Sequence, residues 1–322
     1  MKIAVLTSGG DAPGMNAAIR SVVRTARARD WGVFGVQRGY EGLLGGSFVE
    51  LSPRDVGGIV GAGGTILGSS RSPDFQTEEG QRTAIRRLSE RDIDAIIIIG
   101  GSGSQRGAFA LSQMGFPVVG VASTIDNDLF GSDITIGVDT ALNVALEAID
   151  RIKVTASSHQ RVFAVEVMGR DCGYLALMSG IAGGAEVIIV PEVDFDIQKL
   201  EATIHEAYQK GKHHAIIVTS EGAIYNAEEL TRYFSGASNL SGYELRTTVL
   251  GYVQRGAVPG VFDRILATRL GAAAVDCIGR HSFGVLTGIQ KSEITTTPLK
   301  LVASRKKELD TSLLGLADLL AK

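Results

Sequence analysis

Two carboxylates stand two residues apart in Thr124-Ile125-Asp126-Asn127-Asp128, a polar segment just after the apolar run Pro117–Val121. Such a pair can divide the work of proton transfer. One carboxylate acts as a general base, and the other holds a metal ion or adjusts its neighbour's proton affinity. The same residue types also make Asx turns and helix caps, so the pair alone does not fix a reaction. Two glycine-rich segments add a second chemistry. Thr7-Ser8-Gly9-Gly10-Asp11-Ala12-Pro13-Gly14-Met15-Asn16 follows the apolar run Lys2–Leu6, and Gly100-Gly101-Ser102-Gly103-Ser104 follows Asp94–Ile99. Glycine lets a backbone approach an anion closely, and a helix N-terminus offers N–H groups and a positive dipole end. With Gly107 the second segment also reads G-x-G-x-x-x-G, a loose relative of a dinucleotide-binding fingerprint. No Walker A pattern occurs, so a phosphate cradle here is not a P-loop. Five dispersed arginines, Arg71, Arg161, Arg170, Arg246 and Arg255, carry the planar fork that suits phosphate oxygens. Taken singly, each of them reads more readily as a surface ion pair than as a ligand contact.

These segments need a scaffold, and the chain supplies one by alternation. Lys2–Leu6, Gly32–Gln37, Asp94–Ile99, Pro117–Val121, Val162–Val167, Val187–Val190, Ala215–Thr219, Thr247–Leu250 and Phe283–Ile289 read as strands. The β-branched run before Gly100 suits a strand buried on both faces of a parallel sheet. A helix starts near Met15, with Met15, Ile19, Val22, Val23 and Ala26 on one face and Arg20, Arg24 and Arg27 on another. Another is expected over Gln105–Met114, and a third, capped by Asp139, to about Thr155. Residues 223–243 read as a loop-prone insertion. The expected fold is α/β, with two doubly wound parallel-sheet domains carrying helices on both faces. In such sheets ligands sit beyond the carboxyl ends of the strands.

Composition narrows the function classes. Hydrophobic residues make up 44% and charged residues 21% of 322, which supports a core and excludes disorder. The net charge of −3 leaves no basic excess for nucleic acid. Forty-one glycines against seven prolines suit many tight strand-to-helix turns. The two cysteines, Cys172 and Cys277, make neither a metal-ligand spacing nor a disulfide framework. No apolar run approaches the ~18–20 residues of a membrane span, and the first one is too short for a signal peptide. A reduced, cytoplasmic α/β protein with no membrane and no nucleic-acid partner is expected.

Taken in order, the motifs resemble a known family. T-S-G-G-D-A-P-G-M-N-A at 7–17, G-G-T-I-L-G-S-S-R at 63–71, T-I-D-N-D at 124–128, S-S-H-Q-R at 157–161, E-V-M-G-R at 166–170, A-G-G-A-E at 182–186 and T-V-L-G-Y-V-Q-R-G at 248–256 are similar to the bacterial ATP-dependent 6-phosphofructokinases. The resemblance runs from residue 1 to about 290. It implies an ATP-binding domain over 1–138 plus 251–301 and a fructose-phosphate domain over 139–250 plus 302–322. It implies phosphoryl transfer from MgATP to the 1-hydroxyl of fructose 6-phosphate, a step of glycolysis. Asp126 would be the base, supported by Asp128. Gly10, Thr124 and Arg71 would stabilise the phosphoryl group in flight. ATP would lie against Gly10, Tyr40, Arg71, Gly101, Ser102, Gly103, Ser104 and Gly107, with Mg²⁺ near Ser102 and Asp128. Arg161, Met168, Arg170, Glu221, Arg246, Tyr252 and Arg255 would hold the sugar phosphate. Arg161 and Arg246 would reach in from a neighbouring subunit, which implies a homotetramer. Arg20, Arg24, Arg54, Lys153, Glu186, Lys210 and Lys212 would bind an ADP or phosphoenolpyruvate effector.

Several positions depart from the family pattern. Ser102 stands where an aspartate helps to hold Mg²⁺. Ser123 stands where glycine goes with ATP and lysine with pyrophosphate. Tyr252 replaces a histidine at the sugar phosphate, and Pro53 and Gly58 replace a basic and an acidic effector residue. Gly103 is the type associated with ATP. Two alternatives to a fully active ATP enzyme therefore stand: a pyrophosphate-dependent phosphofructokinase, and a catalytically weakened sugar-phosphate-binding regulatory subunit. The same departures leave room for a slow ATP enzyme.

Overall fold

The computed structural model describes residues 1–235 and 244–321. Their strands are β1 (Lys2–Ser8), β2 (Gly32–Val36), β3 (Phe48–Glu50), β4 (Ala95–Gly100), β5 (Val118–Ala122), β6 (Val162–Val167), β7 (Val187–Ile189), β8 (Ala215–Ser220), β9 (Leu245–Val249), β10 (Val285–Gln290) and β11 (Glu293–Pro298). The chain packs as two units. One comprises Met1–Thr140 and Arg255–Lys307, the other Ala141–Gln254 and Glu308–Lys322. The chain passes from the first to the second after the third residue of the helix Val138–His159.

The first unit holds a seven-stranded sheet in the order β11-β10-β5-β4-β1-β2-β3. Its five inner strands are parallel, and every residue of β4 is buried, as its unbroken apolar run requires. Both edge strands are antiparallel and were not expected from the sequence. β3 has only three residues, too few to show a period, and β11 is a mostly polar Glu-Ile-Thr-Thr-Thr-Pro run. The β10–β11 hairpin turns on Lys291 and Ser292, at φ 50° and 67°, the left-handed pair that matches strand twist. Helices Met15–Arg27 and Val261–Gly279 pack on each other, and a Cβ at Gly271 would come within 2.8 Å of the Ala18 carbonyl oxygen.

The second unit holds a parallel four-stranded sheet in the order β7-β8-β6-β9. Val162, Ala164, Ile189, Leu200, Ile204, Ile217 and Leu230 form its core. The expected loop over 223–243 contains a helix instead, Ala227–Ser235. Asn226 caps it by accepting from Glu229 N at 3.1 Å, and Glu166 Oε2 accepts from Ala227 N at 2.8 Å. Residues 236–243 of that segment lie outside the described residues.

Two helix starts also differ from expectation. The helix after β4 begins at Ser102 and not Gln105, so Ser102, Gly103 and Ser104 form its first turn. Asp139 is the second residue of its helix, not the cap. Asp263 takes that role, accepting from Gly137 N and Thr140 N, both at 2.8 Å, and from Thr140 Oγ1 at 2.6 Å. Burial pushes the Asp263 carboxyl above its usual range, and those three hydrogen bonds act in the opposite sense. Among the described residues no helix is long and apolar enough to cross a membrane.

Candidate active site

In the first unit β1, β4 and β5 end level. Ser8 pairs with Gly100, and Gly100 with Ala122. The strand order also reverses here, because β1 has β2 on one side and β4 on the other. Three loops of the expected site begin at these carboxyl ends, and in open α/β sheets a reversal of strand order is where ligands bind. The first loop needs glycine for two reasons. Gly9 and Gly14 adopt φ 85° and 109°, and a Cβ at Gly10 would collide with the Arg255 guanidinium. The second delivers the first turn of the helix from Ser102, whose leading N–H groups have no carbonyl partner within the helix.

The third loop carries the two carboxylates. Thr124 Oγ1 accepts from Asp126 N at 3.2 Å, and Thr135 Oγ1 donates to the Thr124 carbonyl at 2.6 Å. Asn127 sits at φ 54°, its amide donating to the Asp133 carbonyl at 3.2 Å. Those ties fix Asp126 between two restrained residues. Arg255 Nη2 lies 3.9 Å from Asp126 Oδ1, with both side chains nearly buried at 8% and 12% exposure. Arg255 Nη1 donates to the Asp11 carbonyl at 3.1 Å. One guanidinium thus spans the first and third loops and offsets the buried carboxylate charge. Ser102 Oγ donates to Asp128 Oδ2 at 3.2 Å, joining the second loop to the third.

Tyr40, Gly107 and Ser104 form one packed group. The buried Tyr40 hydroxyl donates to the Ser104 carbonyl at 2.7 Å, its ring stacks on Phe75 at 3.9 Å, and a Cβ at Gly107 would lie 2.5 Å from the hydroxyl. Burial drives the Tyr40 phenol well above its usual range. Tyr40 supports the helix start from behind and presents little surface to a ligand. Arg71 is exposed, and its side chain makes no hydrogen bond or ion pair among the described residues. The loop leading to it is strapped to the first turn. Asn16 donates to the Ala62 and Gly63 carbonyls at 3.1 Å each and accepts from Ile66 N at 2.8 Å, and Ser69 Oγ donates to the Gly9 carbonyl at 2.5 Å.

The second unit places the other expected residues at two ends of its parallel sheet, with Met168, Arg170 and Glu221 beyond the carboxyl ends of β6 and β8, and Arg161 and Arg246 at the amino end beside the start of β6. Met168, Gly169 and Arg170 turn sharply, at φ 145° for Gly169 and 50° for Arg170. Glu221 Oε1 holds that turn, accepting from Gly169 N at 3.3 Å and Arg170 N at 2.9 Å. Gln254 Oε1 accepts from Met168 N at 2.8 Å. Arg161, just before β6, and Arg246, on β9, share one partner. Glu244 Oε2 lies 2.9 Å from Arg161 Nη2, and Glu244 Oε1 contacts Arg246 Nη2. Tyr252 is 81% exposed. The seven expected sugar-phosphate residues are therefore divided. Arg255 belongs to the first unit, beside Asp126, and the other six to the second.

The effector set is divided as well, with Arg20, Arg24 and Arg54 in the first unit and Lys153, Glu186, Lys210 and Lys212 in the second. Arg24 is exposed, but Arg20 is half-buried, and its Nε is buried without a hydrogen-bond partner. Lys212 pairs with Glu186 at 3.2 Å and Lys210 with Glu206 at 2.7 Å. Sequence reading missed Glu244, Gln254 and the straps from Asn16. Glu244 alone carried a signal, since Glu244-Leu245-Arg246 sets opposite charges two residues apart.

A divalent cation finds two oxygen donors of this chain side by side, Asp128 and Ser102. No cluster of three or more His, Cys, Asp or Glu that could hold a metal exists among the described residues. That donor set fits Mg²⁺ carried on phosphate oxygens, because Mg²⁺ keeps waters and takes one or two carboxylates.

The phosphofructokinase family model matches residues 2–278. An ATP-dependent 6-phosphofructokinase from Thermus thermophilus is 49% identical over 328 residues, covering 99% of both chains. One from Brevibacillus brevis is 47% identical over 316 residues, 98% of both chains. Among solved structures, the Saccharomyces cerevisiae phosphofructokinase matches with TM-score 0.86 and 37% identity over 99% of this chain, which spans 48% of the yeast chain. A pyrophosphate-dependent phosphofructokinase from Marinobacter aquaeolei matches with TM-score 0.87 and 25% identity, covering 97% of this chain and 86% of that one.

Proposed function

The chain belongs to the phosphofructokinase family, and on that premise we propose that it transfers the γ-phosphoryl group of ATP to the 1-hydroxyl of fructose 6-phosphate, giving fructose 1,6-bisphosphate and ADP. The observation that carries this reading is the joined set of loops in the first unit, with Asp126 restrained beside Arg255 and Asp128 beside Ser102. Phosphoryl transfer asks a protein mainly for positioning and charge stabilisation. Asp126 accepts the proton of the 1-hydroxyl as that oxygen bonds to the γ-phosphorus and the bond to ADP breaks. Glycine at position 10 and the first turn of the helix from Ser102 offer N–H groups to the donor phosphates, and Thr124 and Arg71 complete the donor side. Met168, Arg170, Glu221 and Tyr252 hold the acceptor together with Arg161 and Arg246 of a neighbouring subunit, and Arg255 stands between the first turn and the base. When bound, Mg²⁺ neutralises charge on the donor phosphates; Asp128 and Ser102 are the residues that would hold it.

ATP is favoured over pyrophosphate because the ATP-dependent relatives are nearly half identical over almost the whole chain, against 25% for the pyrophosphate-dependent one. A homotetramer, cytoplasmic residence and an ADP or phosphoenolpyruvate effector belong to the same reading and rest on the resemblance. The test is a donor screen with fructose 6-phosphate as acceptor. Turnover with MgATP and none with pyrophosphate is expected. Efficient pyrophosphate use would move the assignment to the second donor, the reading that Ser102 and Ser123 would then support.

Tyr252 offers one neutral hydrogen bond where a histidine would give a charge-assisted one, a difference of ~1 kcal/mol. Tyr252→His should therefore lower the KM for fructose 6-phosphate several-fold, chiefly at pH values below the histidine pKa. Unchanged affinity between about pH 6 and 8, the range in which an imidazole titrates, would remove Tyr252 from the phosphate contacts.

A further inference from the structure

We propose that Glu244 is a built-in competitor for the acceptor phosphate, a carboxylate that occupies Arg161 and Arg246 when no phosphate does, and so sets the affinity for the sugar phosphate. The proposal rests on the reading of those two arginines as sugar-phosphate ligands. The geometry is that of a surrogate anion. One carboxylate meets two guanidinium groups, one through each oxygen, with Arg161 Nη2 2.9 Å from Oε2 and Arg246 Nη2 in contact with Oε1. Arg161 comes from the residue before β6 and Arg246 from β9. The pairing of Val162 with Leu245 sets Arg161 level with Glu244, one position before each strand pair.

A phosphate monoester carries about −1.5 to −2 charges near neutral pH and accepts the same forked donors. The three side chains remain partly open, at 33% exposure for Arg161, 49% for Glu244 and 52% for Arg246, so the carboxylate can be displaced by rotation of its own side chain. Glu244 halves the positive charge that the two arginines would present alone. A competitor of this kind raises the KM for the acceptor and leaves the chemical step untouched, because it acts on a remote group of the substrate in ground state and transition state alike.

The test is Glu244→Gln, which keeps shape and removes charge, with Glu244→Asp as the variant that keeps the charge. Glu244→Gln should lower the KM for fructose 6-phosphate by about 3- to 10-fold, the scale of two partly exposed ion pairs, with kcat unchanged. Glu244→Asp should stay near wild type. Inorganic phosphate, titrated by calorimetry into the ATP-free protein, should bind more tightly to Glu244→Gln by a similar factor, and Arg161→Ala should abolish that gain. If the glutamate only ties β9 to β6, Glu244→Gln will melt at lower temperature with a KM unchanged or raised, and the proposal is overturned. Failure of the wild type to phosphorylate fructose 6-phosphate would defeat the functional reading instead. The phosphate titration would still report on the clamp, and equal affinities in wild type and Glu244→Gln would sink it.

Discussion

Replacing Asp126 with serine should leave fructose 6-phosphate binding close to the wild-type level and lower turnover by at least ~10²-fold, the low end for losing a positioned general base. Asp126 is held by its neighbours, with its backbone N–H on the Thr124 hydroxyl and the Thr124 carbonyl in turn on Thr135. A side-chain change there leaves those ties intact. The serine hydroxyl can still hydrogen-bond to an acceptor oxygen, but it cannot take the proton. One side effect needs a control, because Arg255, 3.9 Å away and nearly buried, loses its compensating charge. Such an uncompensated cation is costly. Asp126→Asn shares that loss while preserving shape, so native thermal melts and wild-type fructose 6-phosphate binding in both variants are the control: they show that the uncompensated Arg255 disturbs neither fold nor acceptor site, and the turnover defect then lies in proton transfer. Turnover within a few-fold of wild type in either variant would show that the base lies elsewhere, and the functional reading would fail at its centre.

Much of the scaffold was legible because parallel, doubly buried strands leave a coarse signature. The run before Gly100 is entirely apolar, and the loops that follow β1, β4 and β5 announce themselves by glycine and acid content. The edge strands β3 and β11 were not legible, since an edge buries little and needs no apolar run. The start of the helix at Ser102 was misread for a different reason. Serine and glycine signal a turn, and here they form the first helical turn, where unpaired N–H groups are wanted. The cap on the helix from Val138 comes from Asp263, more than 100 residues away, so no local window contained it. The partners of the arginines were hidden by the same long-range character. Arg255 and Asp126 meet only through the fold, whereas Glu244 and Arg246 stand two residues apart at the entry to β9 and had a local signal.

Ser102→Asp should raise turnover with MgATP by very roughly 10- to 10³-fold, the scale of regaining one electrostatic stabiliser. The wild-type pair is a hydroxyl donating to a carboxylate, Ser102 Oγ to Asp128 Oδ2 at 3.2 Å. The hydroxyl donates to Asp128 and adds no charge, so on the proposed reading the donor phosphates would face one carboxylate fewer than the family pattern provides. Mg²⁺ brought in on the phosphates would still meet Asp128, but a neutral hydroxyl at 102 would hold it less firmly than a second carboxylate. An aspartate at position 102 puts two carboxylates side by side. Without metal they repel, although the helix N-terminus at 102 eases the cost of the added charge. Two readouts should therefore move in opposite directions. In metal-free buffer Ser102→Asp should melt at or below the wild-type temperature. With Mg²⁺ it should gain more thermal stability than wild type does, and the Mg²⁺ concentration for half-maximal turnover should fall. Ser102→Ala separates charge from hydrogen bonding, because it removes the donor to Asp128 without adding an anion and should slow turnover further or leave it unchanged. If Ser102→Asp gains neither Mg²⁺-dependent stability nor turnover, the serine is not standing in for a metal ligand. Activity that drops with ATP while pyrophosphate serves well would mean that the neutral hydroxyl belongs to a different donor geometry, in which a second carboxylate repels the phosphate it should help to hold.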